Sequence, residues 1–137
     1  MKDEIFELSC NLDDMTGEEL GFASEMLLNA GALDVYTIPI GMKKNRPGVM
    51  LNVLCRPESR EKMVKLLFLH TTTIGVRETR HDRYILRREE KTRQTPYGPV
   101  RGKAVEGYGV RREKPEYEDL RRIALEQGIS LRRAREM

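Results

Sequence analysis

The first predicted element is a strand in which apolar and polar residues alternate. Over Ile5–Leu12, apolar side chains occupy every second position: Phe6, Leu8, Cys10 and Leu12. A period of two places these side chains on one face of an extended segment. The sequence therefore predicts a half-buried strand over Ile5–Leu12, with one face against a core.

A helix is predicted immediately after this strand. Thr16 precedes Glu19 by three residues, which is the spacing of a capping box. Two glutamates in the first turn suit the positive end of the helix dipole. Gly31 follows the last position with helical spacing and is a typical residue to end a helix. The helix is expected from about Gly17 to Asn29, burying Leu20, Ala23, Leu27 and Ala30.

The next segments complete a unit of four strands and two helices. A second helix is predicted from Pro57 through Leu69, and further strands over Leu33–Ile40, Val49–Cys55 and Thr73–Arg80. The order strand, helix, strand, strand, helix, strand is the ferredoxin-like split βαβ (βαββαβ) pattern. We therefore expect an α+β fold whose antiparallel sheet carries both helices on one face, with residues 1–82 as a ferredoxin-like subdomain.

Residues 83–137 are predicted to form a β-hairpin extension and C-terminal helices. Tyr84–Arg93 and Val100–Val105 flank a proline- and glycine-rich turn. Glu116–Gln127 is predicted to be a short helix, and Ser130 is expected to cap another that runs to the last residue. A chain that stops inside a helix suggests a cut fragment.

Composition bounds the class of protein. The 137 residues are 39% hydrophobic, and no apolar run approaches the ~20 residues that span a bilayer. The N-terminus lacks the apolar stretch of a signal peptide. Two cysteines, Cys10 and Cys55, are too few for a disulfide scaffold. We expect a cytoplasmic protein without a membrane segment.

Charge is unevenly distributed between the two parts. Residues 1–82 carry 10 basic and 13 acidic side chains, whereas residues 83–137 carry 15 and 9. Such asymmetry can indicate a nucleic-acid-binding arm. The acids are interleaved with the bases in the second part, however, so an ion-paired surface is favoured over nucleic acid.

The predicted topology brings three polar segments to one edge of the first sheet. They are an acidic turn (Asn11–Glu19), a basic loop (Gly41–Gly48) and a hydroxyl-rich corner (His70–Thr73). Carboxylates are ligands for Mg²⁺ or Mn²⁺, and lysine and arginine neutralise phosphate. The combination predicts a site for a polyphosphate with a hard divalent ion.

Each segment also has a purely structural interpretation. Asp13 and Asp14 would then only cap the helix, and the acidic and basic segments would only pair with each other. The threonines would simply begin a strand, as their β-propensity favours. In the second part, Tyr97, Arg101 and Lys103 lie at or near a turn and form one more candidate group with the acidic residues 116–119. Those acids open a helix and would then only serve its dipole.

A site for a soft metal is not supported. The chain has no CxxC, no HxxxH and no Cys/His cluster. Cys10 and Cys55 fall at opposite edges of the predicted sheet and could not share an ion. Each is predicted to be a small core residue.

Five long stretches of the chain have unusual sequences: NLDDMTGEELG, AGALDVYTIPIGMKKNRPG, LLFLHTTTIGVR, TPYGPVRGK and PEYEDLRRIA. They resemble the nickel-insertion protein of the lactate racemase maturation system, the LarC family, and more closely its C-terminal domain. The resemblance covers nearly all of the chain and implies a chelatase of the lyase class. Such proteins place Ni²⁺ into pyridinium-3,5-bisthiocarboxylic acid mononucleotide, making the nickel-pincer cofactor. The resemblance also implies that this chain is a fragment lacking the large N-terminal domain of the family.

The resemblance further implies CTP with Mg²⁺ or Mn²⁺, a nucleotide site in this domain, an N-terminal domain as partner, and a cytoplasmic homo-oligomer. Carried over by motif, the nucleotide-binding residues would be Lys43, Lys44, Asn45, Arg46, Thr71, Thr72, Thr73 and Arg77. The candidate ion ligands are Asp13, Asp14 and Glu18. The few soft ligands here suggest that nickel is held largely outside this chain.

Two other functions are compatible with the fold. An RNA-binding module needs aromatic side chains on the open sheet face. That face is expected to show Glu7, Ser9, Asn11, Met50, Asn52 and Leu54, none of them aromatic, which counts against RNA. A structural oligomerisation domain is the other alternative, because Met50 and Leu54 would be exposed there.

Overall fold

A computed structural model describes all 137 residues. Contacts within the chain divide it into two compact units, Lys2–Arg83 and Tyr84–Met137 together with Met1. The first elements in chain order are β1 (Lys2–Leu12), α1 (Gly17–Asn29), β2 (Asp34–Met42), β3 (Arg46–Cys55), α2 (Arg60–His70) and β4 (Arg77–Tyr84). They are followed by β5 (Arg87–Thr95), β6 (Gly98–Gly107), β7 (Val110–Pro115), α3 (Tyr117–Gln127) and α4 (Leu131–Glu136).

The first unit has the predicted ferredoxin-like α+β fold. Its four strands lie in the order β2-β3-β1-β4, and β3 is antiparallel to both of its neighbours. One face of the sheet packs against α1 and α2, and alternate residues of β1 lie in the shared core with helix residues such as Leu27 and Met63. Cys10 and Cys55 are buried, unpaired core residues, as predicted.

The basic hairpin is tighter than the predicted loop Gly41–Gly48. β2 and β3 stay paired up to Met42 and Arg46, which leaves only the 3₁₀ turn Lys43–Asn45 outside the strands. Lys44 and Asn45 adopt left-handed backbone conformations, with φ of 62° and 59°. These two residues reverse the chain within three positions, so the strands continue through Gly41, Met42 and Arg46–Gly48.

The prediction that a strand begins at Thr73 was wrong, because β4 begins at Arg77. The Thr71 hydroxyl donates to the Leu67 carbonyl at 2.6 Å, and the Thr73 hydroxyl donates to the Gly75 carbonyl at 2.7 Å. Such local bonds to the backbone compete with a strand ladder.

The start of the second helix also differs from the prediction, since Pro57–Ser59 forms a 3₁₀ turn before α2.

The open face of the first sheet includes an aromatic residue that was not expected. Tyr36 of β2 lies beside Asn52 in register, and its hydroxyl donates to a Glu7 carboxylate oxygen at 2.7 Å. Asn52 was expected to be exposed but is buried, because Ser9 donates to its side-chain oxygen at 2.7 Å and its amide donates to the Met50 carbonyl. Its register partners on the same face, Ser9 of β1 and Tyr36 of β2, flank this side chain.

The second unit contains a three-stranded sheet and two helices. Its strands lie in the order β5-β6-β7, all antiparallel. β7 was not predicted, because Val110–Pro115 is mostly charged and shows no alternation. Val100 of β6 forms a small core with Leu120, Ile123 and Ala134 of the helices. No helix of the chain has the length and apolar character needed to cross a membrane.

Candidate functional site

The acidic turn connects β1 to α1 and holds the three carboxylates predicted to bind a metal ion. Thr16 and Glu19 form the predicted capping box, with Glu19 N–H to Thr16 Oγ1 at 3.2 Å and Thr16 N–H to Glu19 Oε1 at 2.9 Å. Hydrogen bonds from Thr16 lower the pKa of Glu19. Asp13 and Asp14 therefore precede a helix that is already capped, while Glu18 lies exposed in its first turn.

The 3₁₀ turn Lys43–Asn45 together with Arg46, called the basic turn from here on, faces the acidic turn. Arg46 Nη1 lies 3.6 Å from Asp13 Oδ2, with the arginine side chain 60% exposed. Lys43 and Lys44 are exposed, and neither forms an ion pair. Exposed ion pairs contribute little to stability, typically about 0–1 kcal/mol, so an incoming anion could replace Asp13 beside Arg46 at little cost.

Gly48 allows the hairpin to approach β1 closely. A Cβ atom at this position would lie 2.9 Å from the Leu12 carbonyl oxygen and would also overlap the Met42 side chain. Any side chain here would push the hairpin away from the end of β1. The glycine therefore helps to hold Arg46 beside Asp13.

Residues 71–73, called the threonine corner from here on, follow α2 and contact the acidic turn through Thr72. The Thr72 hydroxyl donates to Asp14 Oδ1. The hydroxyl protons of Thr71 and Thr73 are used in bonds to backbone carbonyls, so these residues mainly shape the turn. Thr72 is the hydroxyl of the three that points toward the carboxylates.

Arg77 connects β4 to the same end of β1. Its Nη2 donates to Asn11 Oδ1 at 3.0 Å. Asn11 was not expected to have this role. Its place as the last polar position of the β1 alternation indicates that it is exposed, but it does not identify Arg77 as its partner. The structure thus brings the basic turn, the threonine corner and the start of β4 to residues 11–14 of the acidic turn, through the pairs Asp13–Arg46, Asp14–Thr72 and Asn11–Arg77.

The candidate metal ligands are less completely assembled than the candidate anion-binding side chains. The chain has no group of three or more His, Cys, Asp or Glu side chains placed to hold a metal ion. Asp13, Asp14 and Glu18 do not form such a group. Two neighbouring carboxylates are nevertheless a common protein contribution to a Mg²⁺ site in which phosphates and water supply the other ligands.

Cys10 lies beneath the corner and behaves as a core residue. Burial raises the pKa of its thiol, while a side-chain interaction with Thr73 and the charge of Arg77 act in the opposite direction. A thiol with a raised pKa is a poor metal ligand at neutral pH, because the thiolate is the binding form.

The second candidate group, in the other unit, is held together by an internal ion pair. The Arg101 backbone N–H donates to Asp119 Oδ2 at 2.7 Å, and its guanidinium donates to both carboxylate oxygens at 3.0 and 3.1 Å. These bonds lower the pKa of Asp119 to about 2. Asp119 therefore ties β6 to α3, which goes beyond the dipole role considered for it.

Comparison with known proteins gives consistent matches along the chain. The family model described as "Nickel insertion protein" matches residues 1–135. The pyridinium-3,5-bisthiocarboxylic acid mononucleotide nickel insertion proteins of Alkaliphilus metalliredigens and Acetivibrio thermocellus are 46% and 44% identical over 95% and 94% of this chain. Those matches cover 31% and 32% of the relatives, so the chain spans about a third of their length.

Solved structures agree with the sequence matches. LarC2, described as the C-terminal domain of a cyclometallase involved in the synthesis of the NPN cofactor of lactate racemase, in its apo form, superposes with a TM-score of 0.92. It is 39% identical, with 99% of this chain and 94% of that chain covered. A crystal structure of a Methanopyrus kandleri protein superposes with a TM-score of 0.75 at 28% identity, covering 98% of this chain and 86% of that one. The chain belongs to the nickel insertion protein family, in which it corresponds to the C-terminal domain of LarC.

Proposed function

We propose that this chain is the CTP- and divalent-metal-binding domain of a nickel insertase. The whole protein would place Ni²⁺ into pyridinium-3,5-bisthiocarboxylic acid mononucleotide to form the nickel-pincer cofactor, as the names of the relatives describe for nickel insertion. The observation that carries the proposal is the meeting of basic turn, acidic turn and threonine corner at residues 11–14.

The basic turn would bind the triphosphate. Lys43 and Lys44 are exposed cations without carboxylate partners, and Arg46 has only a long, solvent-exposed contact to Asp13. Hydrogen bonds between a cation and phosphate are stronger than those between neutral groups, and arginine can make two at once. Asn45, in its left-handed conformation, would orient the turn or donate to a phosphate oxygen.

The acidic turn and the threonine corner would complete the site. Asp13 and Asp14 would hold Mg²⁺ or Mn²⁺ together with phosphate oxygens, and Glu18 is the further carboxylate in reach of that turn by sequence. The ion would supply charge neutralisation of the triphosphate. Thr72 would bond phosphate or ribose, with Thr71 and Thr73 shaping the corner, and Arg77 would add a second cation. Cations aimed at the β and γ oxygens would also stabilise charge that develops during nucleotide cleavage.

The remaining parts of the proposal concern the whole protein. Nickel ligands and the pincer mononucleotide chemistry would involve an N-terminal domain, in a cytoplasmic homo-oligomer. The two free, buried cysteines suit a reducing compartment. The present chain would bind MnCTP without completing nickel transfer by itself.

Calorimetric titration with MnCTP tests the basic turn. We expect Lys43→Ala and Arg46→Ala each to weaken binding by about tenfold or more, because each removes a charge-assisted bond worth roughly 1.5–3 kcal/mol. Lys65→Ala is the matched control, since Lys65 is an exposed lysine on α2 of the same unit. If both turn variants bound like the unchanged chain, the turn would not belong to the nucleotide site.

A second candidate function is assembly through the open face of the first sheet. Ile38 is 43% exposed and lies opposite Met50 in register, beside Tyr36. These side chains form an apolar strip of the kind that associating surfaces carry. Assembly is compatible with CTP binding. RNA binding is less favoured, because the two rings found on this face, Tyr36 and His81, are both bonded to the carboxylate of Glu7.

A further inference from the structure

A recess lies on the three-stranded sheet of the second unit. It has a volume of about 330 Å³, counting the part open to solvent. Lys91, Arg93, Gly102 and Pro115 are among the residues that line it. Lys91 and Pro115 are the register partners of Gly102 on its two sides, so all three share one face of the sheet.

The recess depends on the missing side chain at Gly102. The residue lies in the central strand, where neighbouring strands carry long side chains on the same face. A Cβ atom here would lie 2.7 Å from the Lys114 carbonyl oxygen and 3.1 Å from Pro115 Cα. Because the backbone of β7 packs this closely, the position excludes any larger residue, and the hollow is built into the packing of β6 on β7.

The charge around the recess is positive and largely unneutralised. Arg93, on the same face through its pairing with Val100, and Lys91 form no ion pair. Glu113, the one acid in the lining, is engaged by Arg111 at 3.5 Å. Lys103 and Lys114 are also among the lining residues, but their positions alternate with Gly102 and Pro115 and so lie on the other face of the sheet, where Glu90 is the β5 partner of Lys103.

We infer that this recess binds the phosphate of a mononucleotide. A phosphate monoester carries about −1.5 to −2 charges at neutral pH, which two free cations on one face would match. The Gly102 backbone and the Pro115 ring provide an uncharged wall for the rest of the ligand. No lining residue is aromatic, so the stacking that single-stranded nucleic acid requires is missing.

The choice of mononucleotide rests on the proposed function, since the relatives' names give a pyridinium mononucleotide as the compound that receives nickel. The recess and the proposed CTP site lie in different units of the chain. Substitutions at each can therefore be tested separately, and failure of one proposal is distinguishable from failure of the other.

Calorimetric titration with nicotinate mononucleotide provides the test. This probe has a pyridinium ring, a ribose and one phosphate. We expect the double variant Lys91→Ala/Arg93→Ala to weaken its binding at least tenfold while leaving MnCTP affinity unchanged. Lys43→Ala should show the reverse pattern. Arg121→Ala, which removes an exposed cation from α3, is the matched control and should change neither affinity.

Three results would overturn the inference. Nicotinate riboside, which lacks the phosphate, would bind as tightly as the mononucleotide. The double variant would bind the mononucleotide like the unchanged chain, with its circular dichroism spectrum showing a native fold. Oligothymidylates would bind at the recess with affinity that rises with their length, which would indicate a nucleic-acid surface instead. Competition by millimolar inorganic phosphate, lost in the double variant, would support it.

Discussion

Individual carboxylates in this chain are specialised by the cations beside them. Asp13 and Asp14 lie in an exposed turn with a long ion pair and one hydroxyl contact. Asp119 instead is buried and accepts three hydrogen bonds from Arg101. The first pair is available to exchange partners, whereas Asp119 is committed to holding β6 and α3 together.

Asp119 should make the stability of the second unit depend on acid pH. Its pKa is lowered from 3.8 to about 2 in the folded chain, first by the Arg101 side chain and then by the Arg101 backbone N–H. A carboxylate whose pKa is lowered in the folded state stabilises the fold at pH values above its unfolded pKa. This contribution is lost as the pH falls from 3.8 through about 2. Asp119→Asn should therefore unfold at lower temperature than the unchanged chain at pH 7, with a smaller further loss toward pH 2.

Thermal unfolding followed by circular dichroism between pH 7 and pH 2 checks this prediction. Glu118→Gln is the control, because Glu118 is an exposed acid in the same helix turn. It should follow the pH dependence of the unchanged chain. Parallel pH profiles for Asp119→Asn and the unchanged chain would count against the assigned ion pair.

The hairpin of β2 and β3 is the element on which the proposed CTP site depends most. Gly48→Ala should cost about 1–3 kcal/mol of unfolding free energy, because its Cβ would overlap the backbone of β1 at Leu12. Gly41→Ala, in the same hairpin, has open space around its Cβ and should change stability by less than about 0.5 kcal/mol. Urea unfolding of both variants gives the comparison. Equal stabilities would mean that the hairpin does not press against β1.

Elements with strong local signals could be predicted from the sequence, and those that depend on distant partners could not. The bounds of α1 agree with the prediction because Thr16 and Glu19 form a local cap. β4 was placed four residues too early because strand propensity does not show that Thr71 and Thr73 bond the nearby backbone. β7 was missed because its charged residues become a strand only by pairing with β6.

The same distinction applies to the candidate site. Topology alone predicted that the acidic turn, basic hairpin and threonine corner would be neighbours, and the contacts of Asp13 and Asp14 agree. The anchoring of Arg77 by Asn11 required the register of β1 against β4, which no local pattern reveals. The recess at Gly102 likewise depends on strand pairing that brings Lys91 and Pro115 to its two sides.

At the scale of the whole molecule, the chain matches one region of relatives that are longer than it. It spans about a third of their length, yet its two units each have their own core. The proposed division of labour follows from ligand chemistry: hard oxygen ligands and cations are present here, and both cysteines are buried. The proposal therefore places nucleotide binding in this chain and nickel handling in the region that its longer relatives have in addition.

A crystal structure of this chain with MnCTP would test the central claim most directly. We predict that the triphosphate lies against Lys43 and Arg46, with Mn²⁺ bridging phosphate oxygens and Asp13 or Asp14, and with Thr72 turned from Asp14 toward the nucleotide. Triphosphate density remote from all of these side chains, for example in the recess at Gly102, would contradict the account.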